Sequence, residues 1–124
     1  YTVQMRKRMP LIYATTAQEA AKIIKYQKIP KEDRRNIAGK GRYFWDNIPD
    51  ARAYSISGNE IFLVADVYFV DCYQNKKSFP KYHDYKNYNS FRGDYQNTHY
   101  YMVKFSKNIE NIHYISGVRP PTIP

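Results

Sequence analysis

The most informative segment of the sequence reads Gly39-Lys40-Gly41-Arg42-Tyr43-Phe44-Trp45-Asp46. Its two glycines permit a close backbone approach or a positive φ, and the aromatic run that follows them is typical of a strand. Directly afterwards, Asn47 can cap a short helix that has Pro49 in its first turn. The segment therefore predicts a strand that leads into a short helix ending near Tyr54.

Upstream of this segment, the sequence predicts one strand and one longer helix. Residues 11–14 form an apolar run that predicts a strand, and Pro10 is best placed at the first residue of that strand. Thr16 and Glu19 have the spacing of a capping box, and apolar residues then recur at helical intervals. A helix is therefore expected over residues 17–27, with its lysines facing the solvent.

Downstream, three segments have the hydrophobic pattern of strands. Residues 61–70 are apolar on both alternating faces apart from Asp66, which predicts a central strand covered on both sides. Residues 99–105 and 112–116 predict two later strands. The charged stretch over residues 31–40 is expected to be a loop.

The order of these elements predicts an α+β fold with a largely antiparallel core. The 124 residues suit a single domain over residues 1–124, and 43% hydrophobic residues are enough to build its core.

No apolar run approaches the roughly 18 residues that a membrane-spanning helix needs. Cys72 is the single cysteine, so the fold does not depend on a disulfide within the chain. The N-terminus lacks an initiator Met and a signal peptide, which indicates a fragment of a longer chain.

The formal net charge of +9 favours polyanionic partners, such as nucleic acid or an acidic inhibitor or immunity protein. Residues 71–100 contain no Ile, Leu, Val, Met or Ala, and they interleave tyrosines with Lys and Arg. That mixture is typical of a single-stranded nucleic-acid platform, or of a loop packed by its own rings. RNA is the favoured polymer, and the predicted nucleic-acid contacts are Arg42, Lys81, Tyr85, Tyr88 and Arg92.

Residues 39–46 and the helical Tyr54 resemble the G-x-G-x-Y-F-x-D segment and downstream helical Tyr of the ADP-ribosyltransferase superfamily. The closer branch is that of the poly-ADP-ribose polymerases and diphtheria toxin, with related bacterial polymorphic-toxin domains. The resemblance spans most of the chain and is specific over residues 39–54. It implies a split antiparallel β core that binds NAD between two sheets. It also implies a toxin or effector domain at the C-terminal end of a longer chain, secreted or delivered into a target cell to act in its cytoplasm.

The resemblance also implies roles for individual residues. In this family a first-motif residue, usually His, bonds the nicotinamide ribose, and aromatic rings enclose the nicotinamide. By position the first motif corresponds to Tyr13, Ala14 and Thr15, and the two Tyr positions correspond to Tyr43 and Tyr54. These residues are the expected NAD contacts.

The family's late-strand Glu, which stabilises the ribose cation as nicotinamide leaves, corresponds by position to Tyr100 or its neighbours His99 and Tyr101. No Asp or Glu lies between Asp94 and Glu110 in this sequence. Asp94 is the better substitute, because it lies on the loop that enters the late strand. The resemblance therefore supports the fold better than the reaction. The candidate catalytic residues are Tyr13, Tyr43, Asp94, His99 and Tyr100.

The leading hypothesis is thus an NAD-dependent ADP-ribosyltransferase that modifies a nucleic acid or a protein, and two alternatives remain open. The first is a metal-independent ribonuclease toxin on the same fold, with His99 as acid or base and basic residues at the phosphate. The second is a catalytically inactive nucleic-acid-binding module, since the usual His and Glu are both replaced. The histidines lack the spacing of metal ligands, so no metal site is expected.

Overall fold

The computed structural model of the protein describes residues 2–3, 7–34, 39–53, 61–69, 72–75, 90–95 and 98–115. Within these ranges the elements follow in the order β1 Thr2–Val3, β2 Lys7–Thr15, α1 Ala17–Tyr26, β3 Glu32–Arg34, β4 Gly39–Phe44, α2 Ile48–Ala53, β5 Ile61–Phe69, β6 Cys72–Asn75, β7 Ser90–Tyr95, β8 Thr98–Val103, a 3-10 helix Ser106–Asn108 and β9 Ile109–Tyr114.

The strands form two sheets. A six-stranded sheet has the order β1-β6-β7-β8-β4-β3, and a three-stranded sheet has the order β2-β5-β9. Among the strand pairs that the structure describes, β6–β7 is parallel and the others are antiparallel. This architecture confirms the α+β class with mostly antiparallel strands and few short helices.

The N-terminal boundary of α1 confirms the predicted cap. The Oγ1 atom of Thr16 accepts a hydrogen bond from the Glu19 amide at 3.2 Å, which satisfies one of the amides that the first turn leaves open. Ala20 and Ile23 form the buried face of the helix. The lysines predicted to face solvent are exposed, namely Lys22, Lys25 and Lys28.

Gln27 holds the C-terminal end of α1. Its φ of 53° ends the helix in the left-handed conformation. Its side-chain amide bonds both backbone groups of Ile112: Nε2 donates to the carbonyl and Oε1 accepts from the amide, each at 2.9 Å. In β9, Asn111 and Ile112 together lie opposite Ala65 alone, which forms a bulge. Gln27 therefore bonds the backbone groups of Ile112, which has no partner residue of its own in β5 because of the bulge.

Strand β2 begins at Lys7, so Pro10 lies inside the strand and the prediction that it is the first residue is wrong. Proline is tolerated there because its nitrogen faces away from β5. The amide of Ile12 donates to the Trp45 carbonyl at 2.7 Å, and residues two apart in a strand direct their amides to the same edge. The missing N–H of Pro10 therefore costs β2 no bond to β5.

The predicted strand and short helix after Gly39 are confirmed. Gly39 has a φ of 77°, and Gly41 permits a close approach, since a Cβ atom there would overlap the Sδ atom of Met102. The Oδ1 atom of Asn47 accepts from the Asp50 amide at 2.8 Å and caps α2. The two glycines thus serve the two purposes expected of them, a positive φ and close packing.

Strand β5 is the central strand of the three-stranded sheet, as predicted. One of its faces is buried from Leu63 to Phe69, but the other is only half-buried, so the expected cover on both sides is incomplete. The larger core draws side chains from both sheets and α1: Leu11, Tyr13, Ala20, Ile23, Ile29, Phe44, Leu63, Ala65, Val67, Phe69, Tyr101, Val103, Ile109 and Ile112. A second cluster consists of Ala14, Tyr43, Trp45, Ala51, Phe91, Tyr100 and Met102.

Three other segments differ from the sequence expectation. Residues 31–40 are not a continuous loop, because they contain β3, which pairs with β4. Residues 71–100 contain β6 and β7 in spite of lacking aliphatic side chains. The last strand begins at Ile109 rather than at residue 112, and Phe105 lies outside β8. In each case pairing with another strand, which the hydrophobic pattern of the segment does not show, sets the boundary.

Candidate functional site

The two sheets meet at β4. Strand β3 pairs with residues 39–41, and β2 meets the end of β4 through a single bridge between Ile12 and Trp45. The Ile12 amide donates to the Trp45 carbonyl at 2.7 Å, and the Trp45 amide donates to the Ile12 carbonyl at 2.9 Å. The strand that ends in Tyr13, Ala14 and Thr15 therefore lies beside the strand of the G-x-G-x-Y-F-x-D segment.

Tyr13 lies one residue from this bridge. Its side chain is 7% exposed, and its ring packs against Phe44 with 5.8 Å between the centroids. Burial raises the pKa of the Tyr13 hydroxyl and the charge of Glu32 raises it further, whereas Arg34 lowers it. Because the net direction is upward, Tyr13 keeps its proton at neutral pH and can donate a hydrogen bond.

Strand β3 contributes an ion pair to the same place. Arg34 Nε lies 3.1 Å from Glu32 Oε2, and the two side chains are only 16% and 18% exposed. The Arg34 guanidinium lies 5.0 Å from the ring centroid of Trp45 and 5.6 Å from that of Tyr43. Burial raises the pKa of Glu32, and Arg34 opposes that change. Tyr13, Glu32, Arg34, Tyr43 and Trp45 are called the junction cluster below.

The aromatic part of this cluster is closed by its own packing. Tyr43 is wholly buried, and its hydroxyl donates to the Gly39 carbonyl at 2.6 Å. Its ring centroid lies 6.1 Å from that of Tyr100, which in turn stacks on Phe91 at 5.9 Å. The structure thus brings together Tyr43 and Tyr100, two predicted site residues far apart in the sequence. It packs them against each other and not around an open slot.

The β7–β8 pair brings two other predicted residues together. Asp94 lies in β7 and not on a loop as expected, and it holds the register position directly opposite His99. His99 is exposed. Arg92, two residues before Asp94, lies with its guanidinium 5.6 Å from the Tyr101 ring centroid. The sequence offers Asp94 and His99 as separate candidates, and the register makes them neighbours.

The remaining predicted site residues lie in three places. Ala14 and Thr15 are buried in β2, at 8% and 4% exposure. Arg42 is held by β4, and its Nε and Nη1 atoms each donate to a backbone carbonyl at 2.5 Å. Four predicted residues lie outside the described residues, namely Tyr54, Lys81, Tyr85 and Tyr88.

The interpretation of residues 31–40 as a loop misses Glu32 and Arg34. The signal that could have found them is the spacing of two, which places both side chains on one face of a strand. A strand of three residues is too short for that alternation to stand out in the sequence.

Two further features of the described residues bear on function. No group of three or more His, Cys, Asp or Glu among them could hold a metal ion, and none of the helices in these ranges is long and apolar enough to cross a membrane. No protein-family model matches the sequence, and no curated protein matches it significantly. The functional argument therefore depends on the junction cluster and the β7–β8 pair.

Proposed function

We propose that this chain is an ADP-ribosyltransferase-like domain that binds NAD at the junction cluster. The bridge between Ile12 and Trp45 carries the proposal, because it sets the first-motif strand beside the aromatic strand of the G-x-G-x-Y-F-x-D segment. The family resemblance assigns both strands to one nucleotide cleft, although they are far apart in the sequence. Contact between Tyr43 and Tyr100, both assigned to that cleft, adds to the support.

The junction cluster has the polar groups that a dinucleotide requires. The Arg34 guanidinium can pair with a phosphate, and the Tyr13 hydroxyl can donate to a ribose oxygen. In the transfer reaction nicotinamide leaves with the electron pair of its bond to ribose, and water or an acceptor oxygen forms the new bond and releases a proton. In this family a late-strand Glu, at the position of Tyr100 here, stabilises the positive charge that develops on the ribose. We assign that role to Glu32.

The burial of the two tyrosines limits how NAD can bind. A nicotinamide ring reaches Tyr43 and Tyr100 only after their packing opens, because both side chains are wholly buried. When only a small fraction of the molecules is in the open state that can bind the ligand, the apparent affinity is reduced in proportion to that fraction. We therefore expect NAD and ADP-ribose, which lacks the nicotinamide, to bind with similar affinity, and we expect slow turnover.

Trp45 is the single Trp of the chain, and it lies beneath the Arg34 guanidinium, so its fluorescence reports on the junction cluster. Titration with NAD should change its emission, and nicotinamide release is measured in parallel. Glu32→Gln should lower the rate of release roughly 100- to 1,000-fold. Glu110→Gln is the matched control, because Glu110 also lies 3.1 Å from an arginine, Arg8, but is 55% exposed.

The possible outcomes separate the two parts of this proposal. If NAD changes neither the emission of Trp45 nor the amount of released nicotinamide, NAD binding is abandoned. If the wild type releases nicotinamide and Glu32→Gln releases it equally fast, only the role of Glu32 is wrong.

A second candidate function, RNA cleavage, is favoured by the position of Asp94 opposite His99. In such a pair a carboxylate can orient the imidazole, which removes the proton of a 2′-hydroxyl. The 2′-oxygen then attacks the phosphorus, the bond to the 5′-oxygen breaks, and a proton is returned to that leaving oxygen. Arg92 would supply the positive charge at the phosphate.

This second candidate is tested by incubating the protein with total RNA in the absence of NAD. His99→Ala should abolish cleavage and Asp94→Asn should reduce it. His113→Ala serves as the control, because His113 is an exposed histidine on the other sheet. RNA that stays intact with the wild-type protein disposes of this function, and RNA that is bound but not cut indicates the inactive binding module.

A further inference from the structure

A groove beside α1 is used by neither proposed function. Its volume is about 400 Å³, within the range of roughly 300–1,000 Å³ that small-ligand sites occupy. The apolar side chains of Ile23 and Ile29 line it, and Arg42 reaches it from β4. None of its lining residues belongs to the junction cluster.

Positive charge predominates in this groove. Lys22, Lys28 and Arg42 line it, and Glu19 is the one carboxylate among the lining residues that the structure describes. Glu19 lies 3.8 Å from Lys22, and both side chains are well exposed, so this ion pair is weak. The two bonds of Arg42 to backbone carbonyls hold its guanidinium in place but do not cancel its charge.

The positive charge continues beyond the groove. Lys104, whose carbonyl accepts a bond from Arg42, has its pKa lowered by burial and further by the charge of Lys31. These two ammonium groups therefore repel each other in the protein alone. A bound anion relieves such repulsion, which is why crowded like charges favour a polyanionic ligand.

Tyr26 adds an aromatic ring to the rim of the groove. The side chain is 63% exposed, and the Lys25 ammonium lies 5.3 Å from its ring centroid. Lys22 and Tyr26 are four residues apart in α1, so they lie on the same face of the helix. An exposed ring beside cations is the arrangement that binds single-stranded nucleic acid, with a base on the ring and the backbone at the cations.

We propose that this groove binds single-stranded nucleic acid, with a base stacked on Tyr26 and neighbouring phosphates at Lys28 and Arg42. The ligand is a strand and not a single nucleotide, because the positive charge extends past the groove. A duplex binds less well, because its bases are already stacked on each other and cannot lie on Tyr26.

The test measures the fluorescence anisotropy of a labelled short oligothymidine, a DNA that the proposed ribonuclease would not cut. Tyr26→Ala should lower the affinity roughly 5- to 100-fold, the loss typical of one stacked base. Phe105→Ala is the matched control, because Phe105 is also exposed, at 43%, with the ammonium of Lys107 5.4 Å from its ring centroid. Phe105 lies outside the groove, so the Phe105→Ala variant should bind the oligothymidine as tightly as the wild type does.

Charge variants give a second readout. The logarithm of the binding constant should fall linearly with the logarithm of the salt concentration, and Lys28→Ala should reduce that slope by about 0.7, the value for one phosphate contact to a single strand. Glu19→Gln should increase the affinity. The proposal is overturned if Tyr26→Ala and Phe105→Ala bind alike, if binding does not depend on salt, or if a duplex with as many phosphates binds as tightly. None of these measurements uses NAD, so their outcome does not depend on whether NAD binds at the junction cluster.

Discussion

Glu32 is under two opposing influences, since burial raises its pKa and Arg34 lowers it, and the net direction is upward. In the folded protein it therefore holds its proton over a pH range in which the unfolded chain has already lost it. The stability that it contributes is present below its ordinary pKa of 4.5 and is lost as the pH rises through the folded value. A half-buried carboxylate retained at such a cost is more typical of a functional site than of a stabilising ion pair.

Glu32→Gln removes this titration, so the two proteins should differ in how stability depends on pH. The free energy of unfolding of the wild type minus that of Glu32→Gln should decrease as the pH rises above 4.5. Each tenfold change in the acid constant corresponds to about 1.4 kcal/mol. Urea denaturation at a series of pH values measures the difference, and the other carboxylates cancel in the subtraction. A difference that stays constant across this range would contradict the upward direction of the pKa.

Among the elements, α1 and β9 are joined by one side chain. The bulge at Asn111, whose φ is 51°, leaves Ile112 without a partner residue of its own in β5. The Gln27 amide bonds both backbone groups of Ile112, as a neighbouring strand would. A donor and an acceptor left without partners at a buried residue such as Ile112 cost more than the bonds themselves are worth.

Gln27→Ala should therefore destabilise the protein by about 1–3 kcal/mol, the cost of stranding a buried polar group. Gln18→Ala is the matched control, because Gln18 is an exposed glutamine of the same helix, and it should change the stability by less than about 0.5 kcal/mol. Thermal or urea denaturation compares the two. Equal stabilities would mean that water replaces the Gln27 amide at Ile112.

The two helices could be predicted from the sequence, because their signals are local. Thr16 and Asn47 each lie three residues before the amide that they cap. Strand β3 could not be predicted because three residues are too few to show the alternation of a strand, and the bulge in β9 could not be predicted because it depends on pairing with β5, far along the chain. The candidate site divides in the same way. Tyr13 and Tyr43 follow from a motif, whereas the ion pair of β3 requires residues 32–34 to form a strand, which so short a segment does not indicate.

In the whole molecule, the two sheets share the larger core. Phe44 and Val103 come from the six-stranded sheet, and Leu63 and Val67 come from the three-stranded sheet, yet all four belong to one buried cluster. The single bridge at Trp45 is the backbone link between the sheets within the described ranges. Side-chain packing, more than hydrogen bonding, therefore holds the sheets together, and they should unfold as one unit.

Leu63→Ala tests this cooperativity, because Leu63 is wholly buried in β5 of the three-stranded sheet. Trp45 directly follows β4 of the six-stranded sheet, so its emission reports on that sheet. Truncation of such a side chain costs about 2–5 kcal/mol. The urea midpoints measured by far-UV circular dichroism and by Trp45 emission should coincide in the wild type and should move down together in Leu63→Ala. A Trp45 transition that stays in place while the dichroism changes would mean that the two sheets unfold separately.

The strand order also determines when the chain can fold during its synthesis. Thr2 pairs with Tyr73, β4 needs β8, and β5 needs β9, which ends at Tyr114. Neither sheet can be completed until the ribosome has made its last strand. The nascent domain therefore carries unpaired aromatic strands until β8 and β9 have been made, the interval in which exposed strand edges aggregate and chaperones act.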